Sequence, residues 1–389
     1  MGGNQVADFM VVGAGIAGAS MAAELSQSGQ VIVLEAEAHA GYHSTGRSAA
    51  VFSQHYGNAV VRSLTRASRE FLFQPPADFA AVPLSIPRDG LYFARADQME
   101  VLRQFHSDPV VQATTRMLSA AEVRERIPIF REDYIEAGLL DEGLADLDVD
   151  AIHQGFLRQA RTRKAEVHFD CPVRELRREV GAWTATTSKG DFRARVVVNA
   201  AGAWGDVIAA LAGAAAVGLQ PMRRTAVLVP VPRGLCADSW PAAVDIEEQF
   251  YFKPDAGLLM ISPADEHLSV PCDVQPEELD VAIAIDRFEQ AIDTPIRQIR
   301  RSWAGLRVFT ADRTPVVGFD SDVEGFFWLV GQGGYGLQTA PAMARLAAAL
   351  ALERPIPSDL VRFGVRPELL ARERFKSHPD VHGAGRPAA

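Results

Sequence analysis

Apolar residues along the chain fall into short continuous runs, and several of these runs end at glycines that are followed by alanine-rich stretches. The first run, Asp8 to Val12, predicts a buried strand, and the stretch from Ile16 to Ser28 predicts a helix. The next run, "QVIVLE" (30–35), predicts a second buried strand. Continuous apolar strands on either side of a helix are typical of a βαβ unit, whose parallel sheet is covered on both faces.

The same plan returns further along the chain. The segment "DVDAIHQGFLRQARTR" places Ile152, Phe156 and Leu157 on one face of a predicted helix. Asp148 or Asp150 is suited to cap the N-terminus of that helix. The segment "ARVVVNAAGAW" predicts a buried strand that runs into a turn of small residues. Near the C-terminus, "GFFWLVGQGGYGLQTAPAMARLAAALAL" predicts a strand, a glycine turn and a helix.

Two long segments between these units have a different texture. They contain more proline, more charge and short strand-like runs such as "TAVLVPV" and "QFYFKPDAGLLMI", in which residues 255–257 predict a hairpin turn. We therefore predict an α/β fold in which an antiparallel-sheet domain is inserted into a discontinuous Rossmann-like nucleotide-binding domain. The predicted ranges are 1–79, 139–218 and 305–375 for the nucleotide-binding domain, 80–138 and 219–304 for the inserted domain, and 376–389 for a flexible tail.

Composition and charge narrow the class of protein. A formal net charge of -10 over 389 residues argues against a nucleic-acid partner, because nucleic-acid binders present a basic face. Three widely spaced cysteines predict neither a disulfide framework nor a metal site, and no HExxH motif is present. No apolar stretch approaches the ~20 residues that span a bilayer. We therefore expect a cytoplasmic protein without a transmembrane segment or a metal site, and leave open an association with the membrane through its electron acceptor.

The first glycine turn has the spacing of a dinucleotide-binding loop. Gly13, Gly15 and Gly18 form G-x-G-x-x-G between the first predicted strand and its helix. In such a loop one glycine makes the tight turn, the next admits a pyrophosphate and the third lets the helix pack on the strand. Glu35 ends the second strand about 20 residues on, where a carboxylate accepts hydrogen bonds from an adenosine ribose. An ADP-containing cofactor is therefore predicted, either NAD or FAD.

The segment that follows Glu35 favours the flavin. It reads "AEAHAGYHSTGRSAAVFS", a long loop of small polar residues with Arg47. A nicotinamide-binding fold normally proceeds to its next helix and strand, whereas a flavin extends from its pyrophosphate to a buried isoalloxazine ring. This loop is suited to line that path.

The chain resembles the D-amino acid oxidase and glycine oxidase family of FAD enzymes, and within it the bacterial D-arginine dehydrogenase type. The resemblance covers nearly the whole chain. It is carried by "VVGAGIAGAS", "GYHSTGRSAA", "DVDAIHQGFLRQ", "VVNAAGAW", "QFYFKPDAG", "SWAGLR" and "GFFWLVGQGGYGLQT". It implies a Rossmann-like FAD-binding domain with an inserted antiparallel-sheet substrate domain, and non-covalent FAD.

By position, the resemblance implies a set of cofactor-binding residues spread over the whole chain. These are Gly13, Gly15, Ile16, Ala17, Gly18, Glu35, Ser44, Thr45, Arg47, Ser48, Ala49, Val173, Ala200, Gly202, Gly305, Gly333, Gly334, Tyr335 and Gly336. Val173 is expected to meet the adenine with its backbone. The turn at 333–336 is expected beside the flavin ring, where a helix N-terminus stabilises the negative charge of the reduced form.

The resemblance also implies the residues that hold the substrate. Arg307 aligns with an arginine that binds a substrate carboxylate, which suits a planar guanidinium because it contacts both oxygens. Tyr251 aligns with a tyrosine that donates to the same carboxylate, and Tyr56 and Arg224 match other pocket positions. Gly334 and Tyr335 complete the predicted catalytic set.

The side-chain pocket departs from the arginine-directed pattern. The glutamate expected to hold a substrate guanidinium falls at Gly90, with Asp89 one residue earlier. The expected loop histidine falls at Val51, and His55 lies four residues later. Loss of one charge-assisted bond weakens binding by about one to two decades. We therefore predict a preference for neutral or apolar D-amino acids over D-arginine, unless Asp89 turns inward.

The reaction implied is oxidative deamination. Hydride passes from the substrate Cα to flavin N5, and the imino acid product hydrolyses to a 2-oxo acid and ammonia. Catalysis is then mostly orientation, and His153 is expected to be structural. Alternatives are a flavin enzyme for glycine, for N-alkyl or cyclic amino acids or for 2-hydroxy acids, and a non-catalytic flavoprotein subunit. The residues do not decide between oxygen, a quinone and another carrier as the electron acceptor, and they do not indicate the oligomeric state.

Overall fold

The computed structural model describes residues 6–375. Its strands are β1 (Ala7–Val12), β2 (Val31–Leu34), β3 (Val51–Phe52), β4 (Ser85–Pro87), β5 (Gly90–Ala94), β6 (Thr115–Ser119), β7 (Ala137–Asp141), β8 (Ala145–Leu147), β9 (Glu166–His168), β10 (Val173–Glu179), β11 (Ala182–Thr187), β12 (Gly190–Asn199), β13 (Gln220–Pro230), β14 (Ala242–Asp245), β15 (Tyr251–Asp255), β16 (Leu258–Ser262), β17 (His267–Leu268), β18 (Arg301–Phe309), β19 (Val316–Phe319) and β20 (Phe326–Val330). Its α-helices are α1 (Ile16–Leu25), α2 (Ala59–Phe73), α3 (Met99–His106), α4 (Pro109–Gln112), α5 (Ala120–Arg126), α6 (Val149–Thr162), α7 (Gly205–Leu211), α8 (Glu278–Ala291), α9 (Gly336–Ala351) and α10 (Ser358–Arg362).

The first sheet contains the predicted βαβ unit. Its strands run in the order β10-β11-β12-β1-β2-β9, and β20 joins β12 and pairs with β19. The pairs of β1 with β12, β1 with β2, β2 with β9 and β12 with β20 are parallel. Helix α1 packs between α6 and α9 on one face of this sheet, and every strand residue of β2 is buried. The continuous apolar strands therefore form the covered parallel sheet that their sequence predicts.

The second sheet has the order β17-β13-β16-β15-β14-β5-β7-β6, and β18 pairs with β13. Its pairs are antiparallel except that of β14 with β5. Helix α8 packs against β13 and β16, so aromatic residues such as Phe252 and Phe288 are fully buried there. Strands β7 and β18 run past positions 138 and 304, the predicted edges of the inserted domain. The domain ranges stay a prediction.

Local signals in the sequence mark several of these elements correctly. The Asp148 carboxylate accepts a hydrogen bond from the backbone N–H of Ala151 at 2.8 Å and so caps α6. Ala256 and Gly257 have φ values of 49° and 78°, which makes the predicted hairpin turn between β15 and β16. Helix α1 ends at Leu25, three residues before the predicted end, and the tail at 376–389 lies outside the described residues.

Among residues 6–375, no α-helix is both long enough and apolar enough to cross a membrane.

Candidate cofactor and substrate site

A cavity of about 420 Å³ lies between the ends of the first-sheet strands and the facing side of the second sheet. It is lined by most of the residues that the sequence predicts for the cofactor. These are Gly13, Gly15, Ile16, Ala17, Glu35, Ser44, Thr45, Arg47, Ser48, Ala49, Val173, Ala200, Gly202, Gly305, Gly333, Gly334 and Gly336. Three predicted substrate residues, Arg307, Tyr251 and Arg224, line it as well. The predicted residues Gly18, Tyr56 and Tyr335 are not among the residues that line it.

The glycine loop at one end of the cavity exposes bare backbone. Gly13 has a φ of +102°, and a Cβ atom there would stand 2.6 Å from the carbonyl oxygen of Ala200. A Cβ atom at Gly18 would stand 1.9 Å from the carbonyl oxygen of Gly13. Side chains at these two positions are therefore excluded, and α1 packs directly on the turn. The N-terminus of α1 faces the cavity and is suited to bind phosphate oxygens.

Two buried side chains fix the shape of this turn. One Glu35 oxygen accepts a hydrogen bond from the N–H of Ala14 at 2.7 Å, and the other accepts from the N–H of Glu37 at 3.0 Å. His153 Nε2 lies 2.8 Å from the carbonyl oxygen of Ala14. Burial lowers the pKa of His153 below its ordinary value of 6.5, although the bond to Ala14 opposes this. His153 is thus a neutral donor that supports the loop, which agrees with the structural role predicted for it.

Residues 41–49, which we name the cofactor loop, form one wall of the cavity. The hydroxyl of Thr45 accepts a hydrogen bond from the N–H of Ile16 at 3.0 Å, at the first turn of α1. The hydroxyl of Ser44 donates to the carbonyl of Leu306 at 2.6 Å. Arg47 donates to the carboxylate of Asp273, which lies between β17 and α8, so its charge is paired within the chain. The loop therefore contacts both the glycine turn and the second sheet.

The turn before α9 forms the other end of the cavity. Gly333 has a φ of +53°, and a Cβ atom there would stand 2.3 Å from the ring of Phe309. The side-chain amide nitrogen of Gln332, which lines the cavity, is buried without a hydrogen-bond partner among the described residues. An unpaired buried donor and a helix N-terminus together suit the acceptor atoms of a flavin ring.

Arg307, Tyr251 and Tyr56, which we name the clamp, meet beside this turn. Arg307 Nη1 donates to the hydroxyl of Tyr56 at 2.9 Å, and Arg307 Nη2 donates to that of Tyr251 at 3.4 Å. A Cβ atom at Gly334 would stand 3.0 Å from the Tyr56 hydroxyl. The ring of Tyr335 packs edge-on against that of Tyr56, with centroids 4.8 Å apart. The clamp joins a guanidinium to two hydroxyls, a set that binds a carboxylate.

The charges around the clamp are mainly positive. Burial alone would raise the pKa of Tyr251, but the cations Arg307 and Arg224 lower it below the ordinary value. Arg224 Nη2 donates to Glu266 at 3.0 Å, and its Nε is buried without a partner among the described residues. Glu266 also pairs with Arg313. Two carboxylates, Glu266 and Asp265, thus stand near the three guanidinium groups of Arg307, Arg224 and Arg313.

The sequence leaves open whether Asp89 or His55 enters the side-chain pocket, and the structure gives the surroundings of both residues. Asp89 forms an ion pair with Arg126 at 2.9 Å, and its side chain is 37% exposed, so it does not turn inward. A Cβ atom at Gly90 would stand 2.8 Å from Leu144, which fills that space. His55 is buried, with Nε2 at 2.9 Å from the Thr114 hydroxyl.

Several cavity residues have no counterpart in the predicted set. Among them are Tyr42, His43, Cys171, Pro172, Trp204 and Gln332. Gln332 and Trp204 stand inside motifs that the sequence analysis quotes, "GQGGYG" and "AAGAW", and motif position alone marks them. Asp273 and Glu266 lie in irregular segments without any such signal.

The fold and the site together define a class of protein. A parallel sheet with a glycine loop and a carboxylate at the end of its second strand is suited to bind an ADP-containing cofactor, and the cavity continues to a cationic clamp. This arrangement is that of an oxidoreductase that uses a bound dinucleotide.

Comparison with known proteins identifies the family. The family model described as "DAO: FAD dependent oxidoreductase" matches residues 8–350. Glycine oxidase of Bacillus licheniformis is 21% identical over 376 residues, 91% of this chain and 95% of that protein. The crystal structure of glycine oxidase from Geobacillus kaustophilus superposes with a TM-score of 0.80 at 19% identity, over 93% of this chain and 99% of that one. L-proline dehydrogenase from P. horikoshii superposes with a TM-score of 0.79 at 20% identity, over 96% and 98%.

The chain therefore belongs to the DAO family of FAD dependent oxidoreductases. The glycine turn and the unpaired Gln332 amide at opposite ends of one cavity fit its cofactor, FAD.

Proposed function

We propose that this flavoenzyme catalyses the oxidative deamination of D-amino acids with neutral or apolar side chains. The observation that carries the proposal is the clamp, in which Arg307 stands between the hydroxyls of Tyr56 and Tyr251 at the flavin end of the cavity. The narrower resemblance to D-arginine dehydrogenases supports the amino-acid substrate and its D configuration. When bound, FAD would supply the acceptor for a hydride from the substrate Cα, so that the amino acid would become an imino acid, which hydrolyses to a 2-oxo acid and ammonia.

The clamp residues bind and orient the substrate. Arg307 takes both oxygens of the substrate carboxylate, and the Tyr251 hydroxyl donates to one of them. The Tyr56 hydroxyl accepts a hydrogen bond from Arg307 Nη1 at 2.9 Å and so helps to hold the guanidinium in place. Fixing the carboxylate removes most of the orientational freedom of the substrate before the reaction.

The preference for neutral side chains rests on the sheet beside Tyr251. Strand pairing places Tyr251, Val244 and Tyr92 in one row on the same face. Burial raises the pKa of Tyr92, so its hydroxyl stays neutral, and it lies 3.2 Å from the Ser53 hydroxyl. Leu144 fills the space beside Gly90, and Asp89 is paired at the surface. The buried carboxyl beside this wall, Asp141, accepts from the N–H of Gly143 at 2.8 Å, and burial raises its pKa, which disfavours the charged form that would bind a cationic side chain.

The experiment is a comparison of kcat/KM over matched D- and L-amino acids, with D-arginine and D-lysine as the cationic members. We expect the neutral D-amino acids to lead and the cationic ones to fall at least tenfold lower. Highest activity on D-arginine, or on L-amino acids, would overturn the proposal.

A second candidate is the oxidation of glycine or of secondary amino acids. It is favoured by the near full-length match to glycine oxidase of Bacillus licheniformis. Glycine, sarcosine and proline in the same panel test it, because they use the clamp but need no side-chain pocket.

A further inference from the structure

Within residues 6–375, strand β18, which carries Arg307, pairs with β13 on one edge and with no strand on the other. Three of its carbonyl groups nevertheless accept hydrogen bonds from the cofactor side of the cavity. Ala304 accepts from Arg47 Nη1 at 3.2 Å, Leu306 accepts from the Ser44 hydroxyl at 2.6 Å, and Val308 accepts from the N–H of Gly333 at 2.8 Å. The cofactor loop and the turn before α9 thus occupy the place of a neighbouring strand.

The cofactor loop consists of turns and has no helix or strand of its own. Its conformation therefore depends on contacts with other parts of the chain. Asp273, which lies between β17 and α8, contacts two residues of the loop. Its carboxylate accepts hydrogen bonds from Arg47 Nη2 and, at 3.2 Å, from the Tyr42 hydroxyl. Arg47 Nη1 also donates to the adjacent carbonyl of Val274 at 2.9 Å.

The hydrogen bonds of the Arg47 guanidinium are all made to other parts of the chain among the described residues. Besides Asp273, Val274 and Ala304, the guanidinium donates from Nε to the carbonyl of Tyr42 at 3.3 Å. The backbone carbonyl of Arg47 accepts from the Trp303 indole at 3.1 Å. The Arg47 guanidinium holds the pKa of the Asp273 carboxyl below its ordinary value, so the pair is charged at neutral pH.

We propose that Asp273 is a positioning residue for FAD binding, acting through Arg47 to hold the cofactor loop in the shape that lines the cavity. Asp273 lies in the irregular segment 269–277 and does not line the cavity itself. The inference rests on FAD as the cofactor and is independent of the substrate.

The test is the dissociation constant of FAD, measured by flavin fluorescence on apoprotein, for the wild type and Asp273→Asn. We expect an affinity about two- to fivefold weaker, because the exchange removes the charge of Asp273, the half-exposed partner of the pair, and so loosens the loop. If Arg47 instead serves as a cation for the FAD phosphates, removal of the competing carboxylate releases it, and Asp273→Asn binds FAD more tightly. A tighter or unchanged affinity therefore overturns the proposal.

Two further measurements separate positioning from general stability. Glu277→Gln is the matched control, since Glu277 lies four residues later and pairs with Arg223, outside the cofactor loop. We expect it to bind FAD like the wild type, and we expect the unfolding midpoint of Asp273→Asn apoprotein to match that of Glu277→Gln apoprotein. An equal loss of FAD affinity in both variants would contradict the positioning role of Asp273. So would a loss of affinity in Asp273→Asn that is accompanied by a lower unfolding midpoint of its apoprotein. The difference between wild type and Asp273→Asn should also shrink toward 1 M salt, where charges are screened beyond about 3 Å.

Discussion

At the scale of single residues, the clamp is the group of side chains that we propose binds the substrate. Arg307 is held by two tyrosine hydroxyls and lines the cavity. Arg307→Ala should lower kcat/KM about 100-fold or more, because the substrate carboxylate loses its bidentate hydrogen bonds to a guanidinium. FAD content should stay at the wild-type level. The control is Arg301→Ala, an exposed arginine at the start of the same strand, and wild-type kinetics of Arg307→Ala would exclude the assigned role.

Gly334 offers a second prediction at this scale. A methyl group there would stand 3.0 Å from the Tyr56 hydroxyl and 3.2 Å from Arg307 Cζ, closer than ordinary contact. Gly334→Ala should therefore displace the clamp and raise KM about tenfold, with little change in the unfolding midpoint. Steady-state kinetics and thermal unfolding measure the two effects. An unchanged KM would mean that the clamp accommodates the methyl group without loss of function.

At the scale of elements, α6 supports the glycine loop through His153. Because burial lowers the pKa of His153 below 6.5, the unfolded chain binds a proton in mild acid that the folded protein does not. The contribution to stability is complete above 6.5 and is lost as the pH falls below that value. We expect the free energy of unfolding to decrease between about pH 7.5 and about pH 5.5 and this decrease to be smaller in His153→Gln. Denaturant titrations of both proteins at the two pH values measure it. An equal decrease in the free energy of unfolding in the wild type and in His153→Gln would refute the prediction.

The elements that the sequence predicts best are those in which periodicity and a glycine turn agree. Strands β1 and β2 and helices α1, α6 and α9 each follow from an apolar run, a cap or a turn that lies within the same segment. Glu266 and Asp273 could not be found in this way. They lie in irregular segments, and their partners, such as Arg47 and Arg224, are more than 40 residues away in sequence. Such pairs become visible only when the fold brings the segments together.

At the scale of the whole molecule, the first and second sheets both contribute residues to the cavity. The predicted boundary at 304 falls inside β18, because that strand belongs to the second sheet while its outer edge contacts the cofactor loop. The composition of "SWAGLR" gives no sign of this double role. The site residues from distant segments were predicted by resemblance to a family, and composition and periodicity alone would have located only the glycine loop and Glu35.

A cavity that contacts both sheets also predicts how the cofactor affects stability. FAD that binds the folded chain alone stabilises it by about 2.7 kcal/mol when free FAD is 100 times its dissociation constant. Denaturant unfolding of apoprotein with and without FAD should show this gain, and NAD should give none. Stabilisation by NAD in place of FAD would contradict the assignment of the cavity.

The central claim is that FAD in this cavity oxidises a D-amino acid whose carboxylate is held by Arg307. Anaerobic mixing of purified holoprotein with a neutral D-amino acid tests it most directly, with the absorbance of oxidised flavin as the readout. The account predicts rapid bleaching in the wild type, no bleaching by the L-enantiomer, and oxidised flavin that persists in Arg307→Ala at equal FAD content. Bleaching of Arg307→Ala at the wild-type rate, or a wild-type flavin that no amino acid reduces, would contradict it.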